Sequence, residues 1–196
     1  MFNDAYGLTQ ATIEGYKKNT RRNEFTKAEQ TRLTNLVNAG YRLVIQDDCV
    51  KVYAEDATLL FSKPTRYKVG EVVAVAQRYQ DIFDYSNCVN PFAYLDDEKQ
   101  SGWTNKMFVK AELMPHRLRI TGIRAERLQD ISADDCIKEG VRIVPPDFAL
   151  PPLYEGAWRL FSTPRQAFTC LIDKVSGRGT WARNPWVVAY EYELIK

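Results

Sequence analysis

The sequence has little of what metal and disulfide sites need. It contains one histidine, His116, and four cysteines that lie more than 30 residues apart: Cys49, Cys88, Cys136 and Cys170. Structural zinc sites usually take cysteine or histidine ligands in close pairs, and no CxxC pair occurs here. The thiols are therefore interpreted as reduced, buried small side chains. We expect no metal ion and no other cofactor.

Long apolar runs and a strong net charge are also absent. No run of 18 apolar residues occurs and the mean hydropathy is -0.40, which excludes a transmembrane helix. The opening MFNDAYGLTQ lacks the pattern of a signal peptide, so a cytoplasmic protein is expected. The net charge of +2 does not by itself indicate nucleic-acid binding. With 196 residues, 45% apolar and 27% charged, the chain is typical of one folded domain.

Local signals predict helices at both ends of the chain. Thr26 and Glu29 have capping-box spacing, Ser132 stands in a capping position, and Thr163 precedes a proline at the first helical position. The predicted helices span residues 8–14, 26–40, 132–138 and 163–177.

Alternating and valine-rich runs predict the strands. The first three form a small antiparallel meander, and the predicted strands are residues 41–46, 49–54, 58–62, 67–79, 106–111, 117–128 and 186–195. Residues 81–101 and 141–156 are interpreted as loops. About seven short strands with helices around them predict the α+β class, as a small β-barrel of mostly antiparallel strands with flanking helices.

Four blocks of the sequence share features with a known family. In GYKKNTRR, Gly15, Lys17, Thr20 and Arg22 have the spacing G-x-K-x-x-T-x-R. The later blocks are YKVGEVVAV, MPHRLRITGIRAERLQDISADDCIKEGV and AFTCLIDKVSGRGTWARNPWVVAYEYEL. In this order they resemble ASCH domains (activating signal cointegrator homology) of the phage and prophage type, members of the PUA-like superfamily. The resemblance covers roughly two-fifths of the chain and implies a PUA-like β-barrel.

The resemblance also implies a domain organisation. Residues 23–66 and 80–102 depart from the short members of the family. We therefore expect a single ASCH domain over residues 1–196, with an extra helix and strands at 23–66 and an insertion at 80–102.

Lys17 and Thr20 are three residues apart, which on a helical turn places them on one face. A threonine hydroxyl becomes a nucleophile when a neighbouring base removes its proton, and a lysine with a lowered pKa can do so. Nearby positive charges favour the lowered pKa: Lys18, Arg21 and Arg22. The resemblance to ASCH amidohydrolases that deacylate 4-acetylcytidine implies Thr20 as nucleophile, Lys17 as base and Glu139 as proton shuttle.

A basic set with interleaved aromatic residues favours RNA or nucleotide binding. Its members are Lys17, Lys18, Arg21, Arg22, Lys106, Arg117, Arg119 and Arg124, with Trp103 and Trp181 as stacking candidates. These residues meet only if the first helix packs across the strands. Trp186 is favoured as a core residue, and the alternation in 117–124 is also what any half-exposed strand shows.

Three functional hypotheses follow. The first is an ASCH-type domain that binds RNA or a nucleotide, with hydrolysis of an acylated nucleoside such as 4-acetylcytidine as an additional activity. The second is a ribonuclease for single-stranded RNA, in which Lys17 and Arg22 stabilise the phosphorane. The third is a non-catalytic phage accessory protein that binds a host partner through the meander and the insertion. In the simplest alternative, GYKKNTRR is a solvated basic loop and Glu139 is the polar end of a helix.

Overall fold

The computed structural model describes residue 2 and residues 4–82, 101–150 and 159–195. The predicted insertion at 80–102 lies mostly outside the described residues, as do Cys88 and residues 151–156 of the second predicted loop. The helices are α1 (Leu8–Ile13), α2 (Lys27–Asn38), α3 (Tyr79–Ile82), α4 (Ala133–Lys138), α5 (Pro164–Val175) and α6 (Thr180–Arg183). No helix within the described ranges is long and apolar enough to cross a membrane.

The strands follow in chain order. They are β1 (Asn19–Arg22), β2 (Arg42–Gln46), β3 (Cys49–Tyr53), β4 (Leu59–Pro64), β5 (Val72–Ala74), β6 (Arg117–Arg127), β7 (Arg142–Val144), β8 (Asp147–Leu150), β9 (Arg159–Phe161) and β10 (Trp186–Ile195). Short 3₁₀ helices lie at Asp4–Tyr6, Ala111–Leu113 and Leu128–Asp130.

The central sheet is antiparallel and has the order β1-β10-β6-β5. Strands β6 and β10 pair along their whole lengths, and β1 pairs with the outer side of β10, where Thr20 lies opposite Tyr190. Successive side chains on a strand point to opposite faces. Strand β10 therefore buries Val188 in one apolar cluster and Val187 in another.

Different elements cover the two faces of this sheet. On one face Ile120 packs with Leu33 of α2 and Val52 of β3. On the other face the apolar cluster includes Cys136 of α4 and Phe168 of α5. Burial of apolar surface stabilises both layers by roughly 25 cal/mol per Å². The second layer brings α4 and α5 to the sheet on the side where the candidate site lies.

The helix predictions are confirmed at their caps. Thr26 Oγ1 accepts a hydrogen bond from Glu29 N at 3.3 Å, and Thr26 N donates to Glu29 Oε2 at 2.7 Å, which completes the capping box. Ser132 and Thr163 cap α4 and α5 through their side chains. These signals act within one turn of a helix, so the sequence shows them directly.

The meander is confirmed as a sheet with the order β2-β3-β4. Together with the central sheet and the helices it confirms the α+β class with antiparallel strands. The described strands do not close into one barrel, because β2–β4 and β7–β9 form sheets of their own.

The prediction of a loop over residues 141–156 is wrong in its first half. Strands β7 and β8 pair as a hairpin, with Val144 opposite Asp147. Pro145 and Pro146 occupy the turn between these two residues. Proline disfavours the interior of a strand but suits a turn, so the prolines mark the connection and leave the flanking residues free to pair.

Two strand predictions are also wrong. Of residues 67–79, only Val72–Ala74 pair with β6, and the chain turns into α3 at Tyr79. Residues 106–111 form no strand; Phe108 has a φ of 63°, in the left-handed region that interrupts an extended chain. The Lys110 amide donates a hydrogen bond to the Tyr79 hydroxyl at 2.8 Å, whereas in a strand it would donate to the backbone of a neighbouring strand.

Candidate functional site

A cavity of about 540 Å³ opens between β1 and α5. Its polar lining includes Lys17, Thr20 and Arg22 from the segment around β1, together with Glu139 from the end of α4. Its apolar lining comes from Phe2, Leu8 and the face of α5 that carries Phe168, Leu171, Ile172 and Val175. The three residues proposed for catalysis from sequence therefore line one cavity.

Lys17 is buried and its amine is held by three acceptors. Lys17 Nζ donates to Glu139 Oε2 at 2.5 Å, to the Glu139 carbonyl oxygen at 2.9 Å and to the Asn19 carbonyl oxygen at 2.8 Å. The Phe2 ring lies 5.7 Å from the amine. The side chain is 2% exposed, so the solvated-loop interpretation of GYKKNTRR does not apply to Lys17.

The close approach of Lys17 to the end of α4 depends on Gly140. This glycine has a φ of 110°, and a Cβ atom there would lie 3.1 Å from Leu8 Cδ2 and 3.8 Å from Lys17 Cδ. A side chain at position 140 would be strained in this backbone conformation and would press on α1. The Glu-Gly pair that ends α4 thus places the carboxylate beside the amine.

Burial lowers the pKa of the Lys17 amine, although the neighbouring Glu139 carboxylate acts in the opposite direction. The positive charges of Arg22 and Arg21 also lower it. Loss of water around the amine is thus the larger cause, and the positive neighbours named in the sequence analysis act in the same direction. Three donated hydrogen bonds correspond to the ammonium form, so Lys17 can act as a base only after one of its protons has passed to an acceptor such as Glu139 Oε2.

Thr20 lies in β1 and not on a helical turn, so that part of the sequence interpretation is wrong. The chain leaves α1 at Gly15, which has a φ of 79°, and then pairs with β10. Thr20 also lines a second, smaller cavity of about 70 Å³. Among the described residues its hydroxyl has no hydrogen-bond partner, and Lys17 Nζ donates to other acceptors.

Arg21 is buried among carboxylates at the wall of the cavity, which it also lines. Its Nη1 lies 3.1 Å from Glu139 Oε1, its Nη2 lies 2.8 Å from Asp135 Oδ2, and its Nε lies 2.7 Å from Glu126 Oε1. Burial alone would lower the Arg21 pKa, but Glu139 and Glu126 hold it above its ordinary value. Each guanidinium nitrogen thus has a carboxylate partner, and because Arg21 also lines the cavity, its contact with nucleic acid stays a prediction.

The carboxylate of Glu139 therefore has a partner on each oxygen. Lys17 binds Oε2 and Arg21 binds Oε1. Asp135 is held in turn by Arg21 and by Arg124, which lower its pKa although burial would raise it. These contacts restrict Glu139 to one orientation, which is what a proton-transfer group needs.

The remaining basic residues do not converge on the cavity. Lys106 binds Asp4 and the Thr9 hydroxyl. Arg117, Arg119 and Arg124 are exposed on β6, where Arg119 pairs with Glu193 and Arg124 pairs with Asp135 and Glu191. Lys18 is exposed and does not line the cavity. Arg124 still approaches the segment around β1, because Asp135 Oδ2 accepts hydrogen bonds from both Arg124 and Arg21. None of these three β6 arginines lines the cavity.

The aromatic candidates pack within the protein. Trp103 is part of a small cluster with Tyr79 and Met114. Trp181 lies in α6, not in a loop, and its ring meets Phe168 edge-on at 6.2 Å. Trp186 is 7% exposed in the core, where the sequence favoured it.

Several residues of the cavity were not found from sequence. Glu24 and Arg66 line its polar side. The Glu24 carboxylate accepts hydrogen bonds from the Tyr190 hydroxyl at 3.0 Å and from the Arg66 amide at 3.1 Å. Arg66 comes from the segment at 23–66 that the resemblance does not cover, so no motif pointed to it. The apolar periodicity of α5 predicted that one face of this helix is buried, but not that this face lines a cavity.

Other site chemistries find little support in the described residues. No group of three or more His, Cys, Asp and Glu residues within them is placed to hold a metal ion. Cys49, Cys136 and Cys170 are free thiols, and burial raises the pKa of Cys136 to about 11, which disfavours its thiolate. No family model, curated protein or solved structure matches the chain.

Proposed function

We propose that this chain is an ASCH-type, PUA-like domain that binds a nucleoside or nucleotide, free or within RNA, and hydrolyses its acyl amide as in 4-acetylcytidine. The single observation that carries the proposal is the buried 2.5 Å contact between Lys17 Nζ and Glu139 Oε2 in a cavity that Thr20 also lines. An amine, a carboxylate and a hydroxyl in one cavity are the groups that acyl transfer requires. The central antiparallel sheet and the meander would form the PUA-like barrel.

The size and lining of the cavity fit a nucleoside. Small-molecule sites usually measure about 300–1,000 Å³, and this cavity measures about 540 Å³. A nucleobase has apolar faces and polar edges, and the cavity offers Phe2 and α5 for the faces and the β1 segment for the edges. The dispersal of Lys106, Arg117 and Arg119 supports a small ligand more than a long RNA strand.

The first half of the reaction forms an acyl-enzyme. Lys17 first passes one proton to Glu139, and the neutral amine then takes the hydroxyl proton of Thr20. The threonine oxygen attacks the carbonyl carbon of the amide. This step requires the Thr20 side chain to turn its hydroxyl towards Lys17; catalytic hydrogen bonds often tighten only once substrate is bound. The proton passes along the contact between Lys17 and Glu139 to the departing nitrogen as the C–N bond breaks.

The second half releases the acid. Glu139 takes a proton from water, the hydroxide attacks the ester carbonyl, and the Thr20 oxygen leaves and recovers its proton through Lys17. Arg22 lies two positions after Thr20 on the same face of β1 and lines the same cavity. Its positive charge would stabilise the oxyanion in both halves. The balance is amide plus water to amine plus carboxylic acid.

Hydrolysis of 4-acetylcytidine, followed by chromatography of cytidine, tests this function. Thr20→Val and Lys17→Ala are expected to lower kcat/KM at least about 100-fold, because each removes a group that acts in the transition state. Glu139→Gln should also lower kcat/KM. Lys18→Ala and Glu112→Gln are the matched controls, since both residues are exposed and do not line the cavity.

Two results would overturn the proposal. One is the absence of turnover on 4-acetylcytidine and on other acylated nucleosides, free or within RNA. The other is turnover that Thr20→Val leaves unchanged. Cleavage of a labelled single-stranded RNA by the unmodified protein, with loss of this cleavage in Lys17→Ala, would favour the ribonuclease hypothesis over the amidohydrolase hypothesis.

A further inference from the structure

We propose, on the basis of the function proposed above, that the small cavity behind Thr20 holds the acyl group and restricts the substrate to short acyl chains. The two cavities share Phe2, Thr20 and Arg22 in their linings. Thr20 thus stands at the boundary between a space of about 540 Å³ and one of about 70 Å³. The Thr20 side chain therefore adjoins both cavities, which differ in volume and in lining residues.

The position of Glu139 decides which part of the substrate enters which cavity. Glu139 lines the large cavity and is not part of the small one. In the proposed mechanism this carboxylate delivers a proton to the departing amine, so the nucleoside must lie on its side. The acyl carbon becomes bonded to Thr20 when the C–N bond breaks. The acyl chain must then point away from the leaving nucleoside, into the small cavity.

Apart from Thr20 and Arg22, which it shares with the large cavity, the lining of the small cavity suits an alkyl group. Val75, Leu118 and Ile120 supply apolar contacts. Tyr190 and Tyr192 also line it, but their hydroxyls are engaged elsewhere: Tyr190 donates to Glu24 at 3.0 Å, and Tyr192 lies 3.3 Å from Thr12 Oγ1. The tyrosines therefore offer ring surface to the cavity and not polar groups.

The volume of the small cavity limits the length of the chain. An apolar protein cavity of about 150 Å³ takes up benzene, and the small cavity, at about 70 Å³, has less than half that volume. A methyl or ethyl group attached to the carbonyl carbon fits this space. A phenyl ring or a pentyl chain does not fit without displacing buried side chains such as Ile120, which is 3% exposed.

A series of N4-acylcytidines tests the subsite on the unmodified protein. The acetyl and propionyl compounds should have kcat/KM values within about tenfold of each other, and the hexanoyl and benzoyl compounds should fall at least about 100-fold below them, since a misfitting methylene costs 10–200-fold in an apolar pocket. Similar kcat/KM values across the series would overturn the inference and leave the hydrolase intact. The absence of turnover on every compound of the series would overturn both this inference and the proposed function.

Substitutions at Val75 test whether the small cavity sets the limit on the length of the acyl chain. Val75→Ala enlarges the cavity and should raise kcat/KM for butyryl relative to acetyl, whereas Val75→Ile should lower propionyl more than acetyl. Val50→Ala is the matched control, because Val50 is buried in the same apolar cluster and does not line the cavity. Equal changes for all acyl lengths in Val75→Ala would count against the subsite. Should this variant not fold, the series on the unmodified protein decides alone.

Discussion

At the scale of single residues, the main feature is the desolvated amine of Lys17. Lys17 is buried, and three acceptors take its hydrogen bonds. Desolvation disfavours the ammonium form, whereas the charge of Glu139 favours it. The balance lowers the pKa of Lys17, which is the direction that the proposed role as base requires.

The titration of Lys17 tests this balance. Its pKa, followed by nuclear magnetic resonance of the labelled side chain, should lie below the ordinary value of 10.5. Glu139→Gln removes the charge that favours the ammonium, so it should lower the Lys17 pKa further. Glu112→Gln should leave it unchanged. A Lys17 pKa at or above 10.5 would contradict the role as base.

At the scale of elements, the short helix α4 positions the acidic part of the site. Ser132 caps its first turn, Asp135 binds Arg21 from its middle, and Glu139 ends it as the C-cap. A helix of six residues has little stability of its own. Its placement depends on the cap and on the packing of Cys136 in the second apolar layer.

The cap of α4 gives a stability prediction. Ser132→Ala removes the acceptor for the Asp135 amide and should cost about 1 kcal/mol of the free energy of unfolding. This corresponds to a Tm about 2–4 °C lower for a chain of this size. Ser132→Asp retains an acceptor and should keep the Tm of the unmodified protein. An equal Tm for all three proteins would show that the cap contributes nothing.

At the scale of the whole molecule, Arg21 connects separate elements through charge. It lies on β1 and pairs with Glu126 on β6 and with Asp135 and Glu139 on α4. Breaking a buried network from one side leaves the remaining charges unpaired and costs more than its formation contributes. Arg21 is therefore expected to matter for folding and for the orientation of Glu139.

Removal of Arg21 should destabilise the fold in a pH-dependent way. Arg21→Met should lower the free energy of unfolding at pH 7 by about 3–5 kcal/mol, measured by urea denaturation. Arg119→Met, which breaks an exposed pair with Glu193, should cost less than about 1 kcal/mol.

The sign of the pH dependence follows from Asp135. Its pKa in the folded protein lies below the ordinary value of 3.8. The stability that it contributes is therefore present above pH 3.8 and is lost as the pH falls through the lowered pKa. Arg21→Met removes the main cause of this lowering, so the difference between the two proteins should shrink as the pH falls below 3.8 and Asp135 takes up its proton. A difference that stays constant with pH would contradict the charge network.

The sequence by itself determined the helix caps, the meander and the strands β6 and β10, whereas Lys17, Thr20 and Glu139 were chosen through the resemblance to ASCH domains and their roles stay a prediction. These features rest on signals that act over a few residues or on motif spacing. Only the tertiary structure decided that α5 closes the cavity, that Arg21 is neutralised by carboxylates, and that neither Arg117 nor Arg119 lines this cavity. Burial and charge pairing depend on residues distant in the chain, as Arg21 and Glu126 are, so no local pattern reveals them.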